Sequence, residues 1–93
     1  MTKAYELLSP PGAWTTRVTA RNRDRKSCEP VSDEAVCWCL IGAIIRCYPD
    51  NPGARLRMYD LVYVKLGREV SDWNDAHGRT QAEVVALLKE LDL

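Results

Sequence analysis

Cys39, Asp75 and His77 are the side chains of this 93-residue chain best suited to covalent chemistry. A thiol nucleophile, an imidazole base and a carboxylate or amide that orients the imidazole make up a cysteine hydrolase, and Asn74 serves as orienter as well as Asp75. His77 is the only histidine, so no other imidazole is available. Placement counts against this chemistry. Activated cysteines favour helix N-termini, where the dipole lowers the thiol pKa. Cys39 falls well inside a helix expected over 33–47, which makes it a packing residue rather than a nucleophile.

Cys28, Cys37, Cys39 and Cys47, with His77, are the soft metal ligands of the chain. Their spacing, C-x8-C-x-C-x7-C, contains none of the close C-x-x-C pairs of zinc sites. On a helix, Cys37 and Cys39 point about 200° apart and can neither share a metal nor form a disulfide. Neither a metal nor a cofactor is expected. Free thiols suit a reducing compartment, so a cytoplasmic location is expected.

Two further clusters can bind rather than react. Arg17, Arg21, Arg23, Arg25 and Lys26 place five cations in ten residues against the single acid Asp24. Such an arm can contact phosphates while Trp14 stacks on a base, and its plain alternative is a solvated loop. Trp73, Asn74, Asp75, His77, Arg79 and Thr80 gather an indole, an amide, a carboxylate, an imidazole, a guanidinium and a hydroxyl, enough for a small-ligand or peptide pocket. Asn and Asp also cap turns through their own backbone, and that structural role competes with binding.

The elements that position these residues follow from local signals. Residues 3–8 read as a short helix stopped by Ser9, Pro10, Pro11 and Gly12. Residues 13–30 read as a short β-hairpin or irregular arm: Thr15, Thr16, Val18 and Thr19 give strand character, 21–27 is polar, and Pro30 limits any return strand to an edge. Ser32 is placed to cap a central helix over 33–47, with Asp33 and Glu34 in its first turn. Residues 35–45 carry no charge, as suits a helix surrounded by others. Gly42 inside it costs about 1 kcal/mol relative to alanine, which implies close approach by a neighbouring helix along the stripe Cys39, Gly42, Ala43 and Arg46.

Residues 55–66 read as a helix in spite of the β propensity of 59–64, with Gly67 as its C-cap. Ser71 is placed to cap a short turn. Thr80 and Glu83 form a capping box for a last helix, 81–91, that turns Val84, Val85, Leu88 and Leu91 inward. Trp38, Tyr59 and Tyr63 are expected in the core. The expected architecture is a single mainly α domain over 1–93, a small helical bundle around a buried helix 33–47.

Cys39-Leu-Ile-Gly-Ala-Ile44, followed by Trp73-Asn-Asp75 and Gly78-Arg-Thr80, resembles the pattern C-x-x-G-A-[IL], W-N-D, G-R-T of a family of small bacterial and bacteriophage proteins of unknown function. The resemblance spans roughly 32–91. It supports the element boundaries and implies no reaction, ligand or partner.

Thirteen Lys and Arg balance thirteen Asp and Glu, which excludes a histone-like polycation or an acidic tail. The balance hides a gradient: residues 1–31 carry six cations and three anions, residues 68–93 three cations and six anions. Opposite patches can meet between copies. No apolar run approaches the roughly 18–20 residues of a membrane helix, and the first twenty residues lack a secretory apolar core. The expected function is a small cytoplasmic interaction or regulatory module, non-enzymatic, whose partner is another protein or itself. A ligand-binding protein or hydrolase centred on Cys39 and 73–80, or nucleic-acid binding through 17–26, are the alternatives.

Overall fold

The computed structural model describes residues 2–93. Its elements in chain order are α1 (Ala4–Leu8), β1 (Ala20–Arg21), β2 (Cys37–Trp38), α2 (Leu40–Cys47), α3 (Pro52–Leu66), α4 (Val70–Asn74) and α5 (Gln81–Glu90). The mainly α class holds. α1 packs on α5 and α2, α2 on α3 and α4, and α3 on α4. Leu8, Leu40, Val62, Val70, Val84 and Leu88, one or two from each helix, are fully buried where these faces meet.

The helices with clear end signals form as their sequences dictate. Asn51 Oδ1 accepts from the amide of Ala54 at 3.1 Å, and Pro52 opens α3 at a position that needs no donor. Gly67 closes α3 in the left-handed region, φ 68°. Thr80 and Glu83 make the expected capping box of α5. Tyr59 on α3 donates to Glu69 before α4, and that bond to a carboxylate pushes the phenol up to about 12.

The central helix is shorter than 33–47. It begins at Leu40, and the seven residues before it form a turn and then β2. Ser32 caps no helix: its Oγ accepts from the amide of Glu34 at 3.1 Å inside a turn. The physical reason lies in the backbone partners of 36–39. β2 pairs antiparallel with β1, Ala20 opposite Trp38 and Arg21 opposite Cys37. The amide of Val36 donates to Arg21 O at 2.9 Å. On the other edge the amide of Trp38 donates to Ala13 O at 2.9 Å, and that of Thr15 to Trp38 O at 3.0 Å. With both edges satisfied by neighbouring chain, this apolar run is a buried strand, and an uninterrupted apolar run reads equally as strand or helix.

The strand pairing therefore reaches outside 13–30. Within that arm the chain turns at 22–26 and makes only an isolated bridge between Arg21 and Ser27. Arg46, at the end of the small-residue stripe, holds the 30–32 turn: its Nη1 donates to Ser32 O at 2.8 Å, and its guanidinium lies 5.5 Å from the Trp38 ring. Two further expectations fail. Ser71 lies within α4, whose cap is Glu69. Trp38 is buried and Tyr59 half-buried, but Tyr63 is exposed because it projects from the outer side of α3.

Candidate functional site

Asn74, the last residue of α4, is only 2% exposed and uses every hydrogen-bonding position of its amide. Its Oδ1 accepts from Trp14 Nε1 at 2.8 Å and from the backbone amide of Leu40 at 3.1 Å. Its Nδ2 donates to Thr15 O at 3.2 Å and to Asp75 Oδ1 at 2.9 Å. Two acceptor sites and two donor hydrogens are all an asparagine has. One side chain thus joins the N-terminal arm, the first turn of α2 and the end of α4. Asp75 extends the network, its Oδ1 accepting from the backbone amide of Arg17 at 2.9 Å.

Cys39 stands beside this network, and its position reverses the placement argument against it. It is the N-cap of α2, with Sγ accepting from the amide of Gly42 at 3.3 Å. Arg17, Val18, Thr19, Ile41, Ser71, Asn74 and Asp75 join it around a pocket of about 120 Å³. A helix N-terminus favours thiolate, but burial outweighs it here and pushes the Cys39 thiol up; the bond from Gly42 opposes this and nearby Asp75 adds to it. His77 is exposed, lies outside the lining of this pocket, and makes no side-chain hydrogen bond among the described residues. Cys39, Asn74 and Asp75 converge without an imidazole.

A buried protonated thiol reacts slowly, because thiolate is the nucleophile. Iodoacetamide at pH 7.5 is expected to label the half-buried Cys28 and Cys47 well before Cys39, with Cys39 modified fully only in denaturant. Peptide mass spectrometry over a labelling time course measures this. Labelling of native Cys39 as fast as in denaturant contradicts the assignment.

The rest of the 73–80 segment is occupied in building itself. The Arg79 guanidinium lies 3.9 Å from the centre of the Trp73 ring, its Nε donates to Trp73 O at 2.9 Å, and its Nη1 donates to Glu83 at 3.0 Å. Gly78 takes φ 82°, a value glycine adopts freely, and turns the chain into the Thr80 cap. The amide and hydroxyl of Thr80 hold the Glu83 carboxyl below the usual carboxylate range. Trp73, Arg79 and Thr80 serve the start of α5, while Asn74 and Asp75 face the Cys39 pocket.

Residues 1–91 match the model of a family described as Family of unknown function (DUF6197). The chain belongs to this family. The match begins well before the 32–91 spanned by the sequence motifs, in keeping with a structure that ties residues 13–17 to Asn74 and Asp75 and packs α1 on α5. The comparisons with curated proteins and with solved structures found no match.

In this member of the family the basic arm is partly committed to its own fold. Arg21 donates to Thr15 Oγ1 at 3.0 Å, Arg25 O at 2.9 Å and Thr16 O at 3.2 Å. Arg25, at φ 65°, reaches Cys37 Sγ at 3.6 Å. Arg17, Arg23 and Lys26 are exposed, and Arg23 lines a depression with Asp24, Asp33 and Glu34, whose charges oppose a phosphate. Among the described residues no group of His, Cys, Asp and Glu is arranged to hold a metal ion, and no helix is long and apolar enough to cross a membrane.

Sequence reasoning missed Val18, Thr19 and Ser71 as pocket residues, because nothing in their types marks them. It also missed the outer face of α3. Leu56 is 62% exposed, Leu61 51% and Val64 78%, and Tyr63 is exposed beside them. The alternation of Leu and Arg at 55–57 leaves the helix without a sharply apolar side, which hid how much apolar surface points outward.

Proposed function

We propose that this chain is a small non-enzymatic interaction or regulatory module, bacterial or bacteriophage in origin and working in the cytoplasm, and that it binds the apolar surface of another protein chain through the outer face of α3. The observation that carries this is the exposure of Leu56, Leu61 and Val64 on one helix of a 93-residue chain. Single exposed apolar residues are ordinary, whereas several on the outer side of one short helix point to an interaction surface. Two open grooves flank the same helix. One is lined by Ile41, Ile44, Ile45, Pro52, Arg55, Leu56 and Tyr59, the other by Arg57, Asp60, Leu61, Val64, Lys65 and Leu91. Four free cysteines suit a reducing compartment.

The hydrolase and ligand-binding readings have less support. Ligand pockets run to about 300–1,000 Å³, and the Cys39 pocket is about 120 Å³, lined by polar groups already bonded to one another. The nucleic-acid reading rests on the few cations of the arm that remain exposed and unbonded.

The test compares three immobilised forms of the chain against lysate of the native host: the unaltered chain, Leu56→Glu/Leu61→Glu on α3, and Arg17→Glu/Lys26→Glu on the arm. All changed residues are exposed, and circular dichroism checks that each form is folded. The expected result is a protein captured by the first and third forms and lost with the second. Capture indifferent to the α3 changes, or lost with the arm changes, rejects the reading.

A further inference from the structure

We infer that the partner surface recognised by α3 is the α3 of a second copy, packed antiparallel about a twofold axis. The inference rests on the interaction reading above and names its occupant.

At 100° per residue, Gly53, Arg57, Asp60 and Val64 run along the outer side of α3, with Leu56 and Leu61 on its two flanks. All six residues are exposed. The charges on this strip are Arg57 and then Asp60, one of each sign, and neither takes part in an ion pair among the described residues. Lys65, just beyond, is already paired with Glu90 at 2.9 Å. A plus-then-minus order along a helix is self-complementary only when the second helix runs the other way. Arg57 then faces the second copy's Asp60, and the twofold axis repeats that pair.

Register follows from the same pairing. With Arg57 opposite the second copy's Asp60, Gly53 falls opposite the second copy's Val64. Gly53 has no side chain of its own, and Arg57, whose Nη1 lies 3.8 Å from where a Cβ there would stand, uncovers it for the most exposed apolar residue of the helix when it turns to the second copy's Asp60. Leu56 and Leu61 border the seam on either side. A parallel arrangement sets Arg57 beside Arg57 and Asp60 beside Asp60, where like charges repel. The zero formal net charge of the chain removes the long-range repulsion that holds strongly charged proteins apart. A single helix face is a small interface, of the weak and transient class.

The test is sedimentation equilibrium of the purified full chain over a wide concentration range, with Arg57→Asp, Asp60→Arg and the double swap Arg57→Asp/Asp60→Arg. The unaltered chain is expected to rise from the mass of one chain towards that of two as concentration increases. Either single change places like charges across the seam and is expected to weaken association at least tenfold, with the double swap restoring it. A mass of one chain up to millimolar concentration overturns the inference. Dimers unaffected by the single changes, or not restored by the swap, overturn it as well. If the chain stays monomeric while capture from lysate still depends on Leu56 and Leu61, the self-pairing fails and the interaction reading stands. If the dimer forms as described but α3 captures no other protein from lysate, the second copy is the partner and the interaction reading narrows to self-association.

Discussion

Asn74→Ala is expected to lower the free energy of unfolding by about 3–5 kcal/mol, the range in which buried hydrogen-bond networks fail. Truncation removes all four bonds of the side chain at once. It strands the Leu40 amide, buried at the first turn of α2, together with the indole N–H of Trp14 and the carbonyl of Thr15. Each buried group left without a partner costs about 1–3 kcal/mol, discounted where water can reach it. Against a total of roughly 5–15 kcal/mol for a domain, the loss is a large share of the stability. Asn74→Asp keeps the shape and is expected to be at least as damaging. A carboxylate still accepts from Trp14 and Leu40, but it turns a second oxygen on Thr15 O and sets its charge against Asp75, 2.9 Å away in the native bond. Urea unfolding measures both variants as a lower midpoint at unchanged slope. A loss below about 1 kcal/mol in Asn74→Ala shows that Asn74 is not the clamp described here.

These residues also mark where the fold was legible in the sequence. Signals that act within one turn were readable: the Thr80–Glu83 box, Gly67 closing α3, and the Pro-Pro-Gly stop after α1. Each depends on backbone groups three or four residues away. The start of α2 was not readable, because 35–45 has no polar residue to reveal a period of two or of 3.6. What decides it is pairing with residues 13–15 and 20–21, and a local window holds no information about those. The site divides the same way. Trp73, Asn74 and Asp75 were recognised as a turn of chemical interest, but Asn74 meets its partners 34, 59 and 60 residues away in sequence. Cys39 does lie beside Asn74 and Asp75, but the argument from its position was wrong: it sits at a helix N-terminus, and burial rather than position keeps its thiol protonated.

Gly42→Ala separates the local from the tertiary reading by the sign of a single measurement. By helix propensity alone, alanine at a mid-helix glycine stabilises by about 1 kcal/mol. The structure reverses that sign. A Cβ at Gly42 would stand 1.8 Å from the carbonyl oxygen of Thr19 and 2.8 Å from its carbon, so the neighbour is the chain leading into β1 and not a second helix. The obstacle is backbone, which no rotamer change can move aside. Thr19 O also accepts from the Cys39 amide at 3.2 Å, and its segment is anchored by Arg17 to Asp75 on one side and by Ala20 to Trp38 on the other. Making room means breaking these bonds and displacing the wall of the Cys39 pocket. Overpacking of this kind costs about 1–3 kcal/mol and sometimes more, and the rigidity of the obstacle places Gly42→Ala at the upper end. For a domain of this size about 3 kcal/mol lowers the melting temperature by roughly 12–24 °C. Gly67→Ala provides the control. A Cβ there meets nothing within 4 Å, so only the left-handed backbone at φ 68° is strained, and the expected loss is about 1 kcal/mol. Calorimetry on the two variants decides between the readings: a Gly42→Ala protein that melts at or above the parent temperature removes the close approach of Thr19, and with it the packing that places Cys39 beside Asn74.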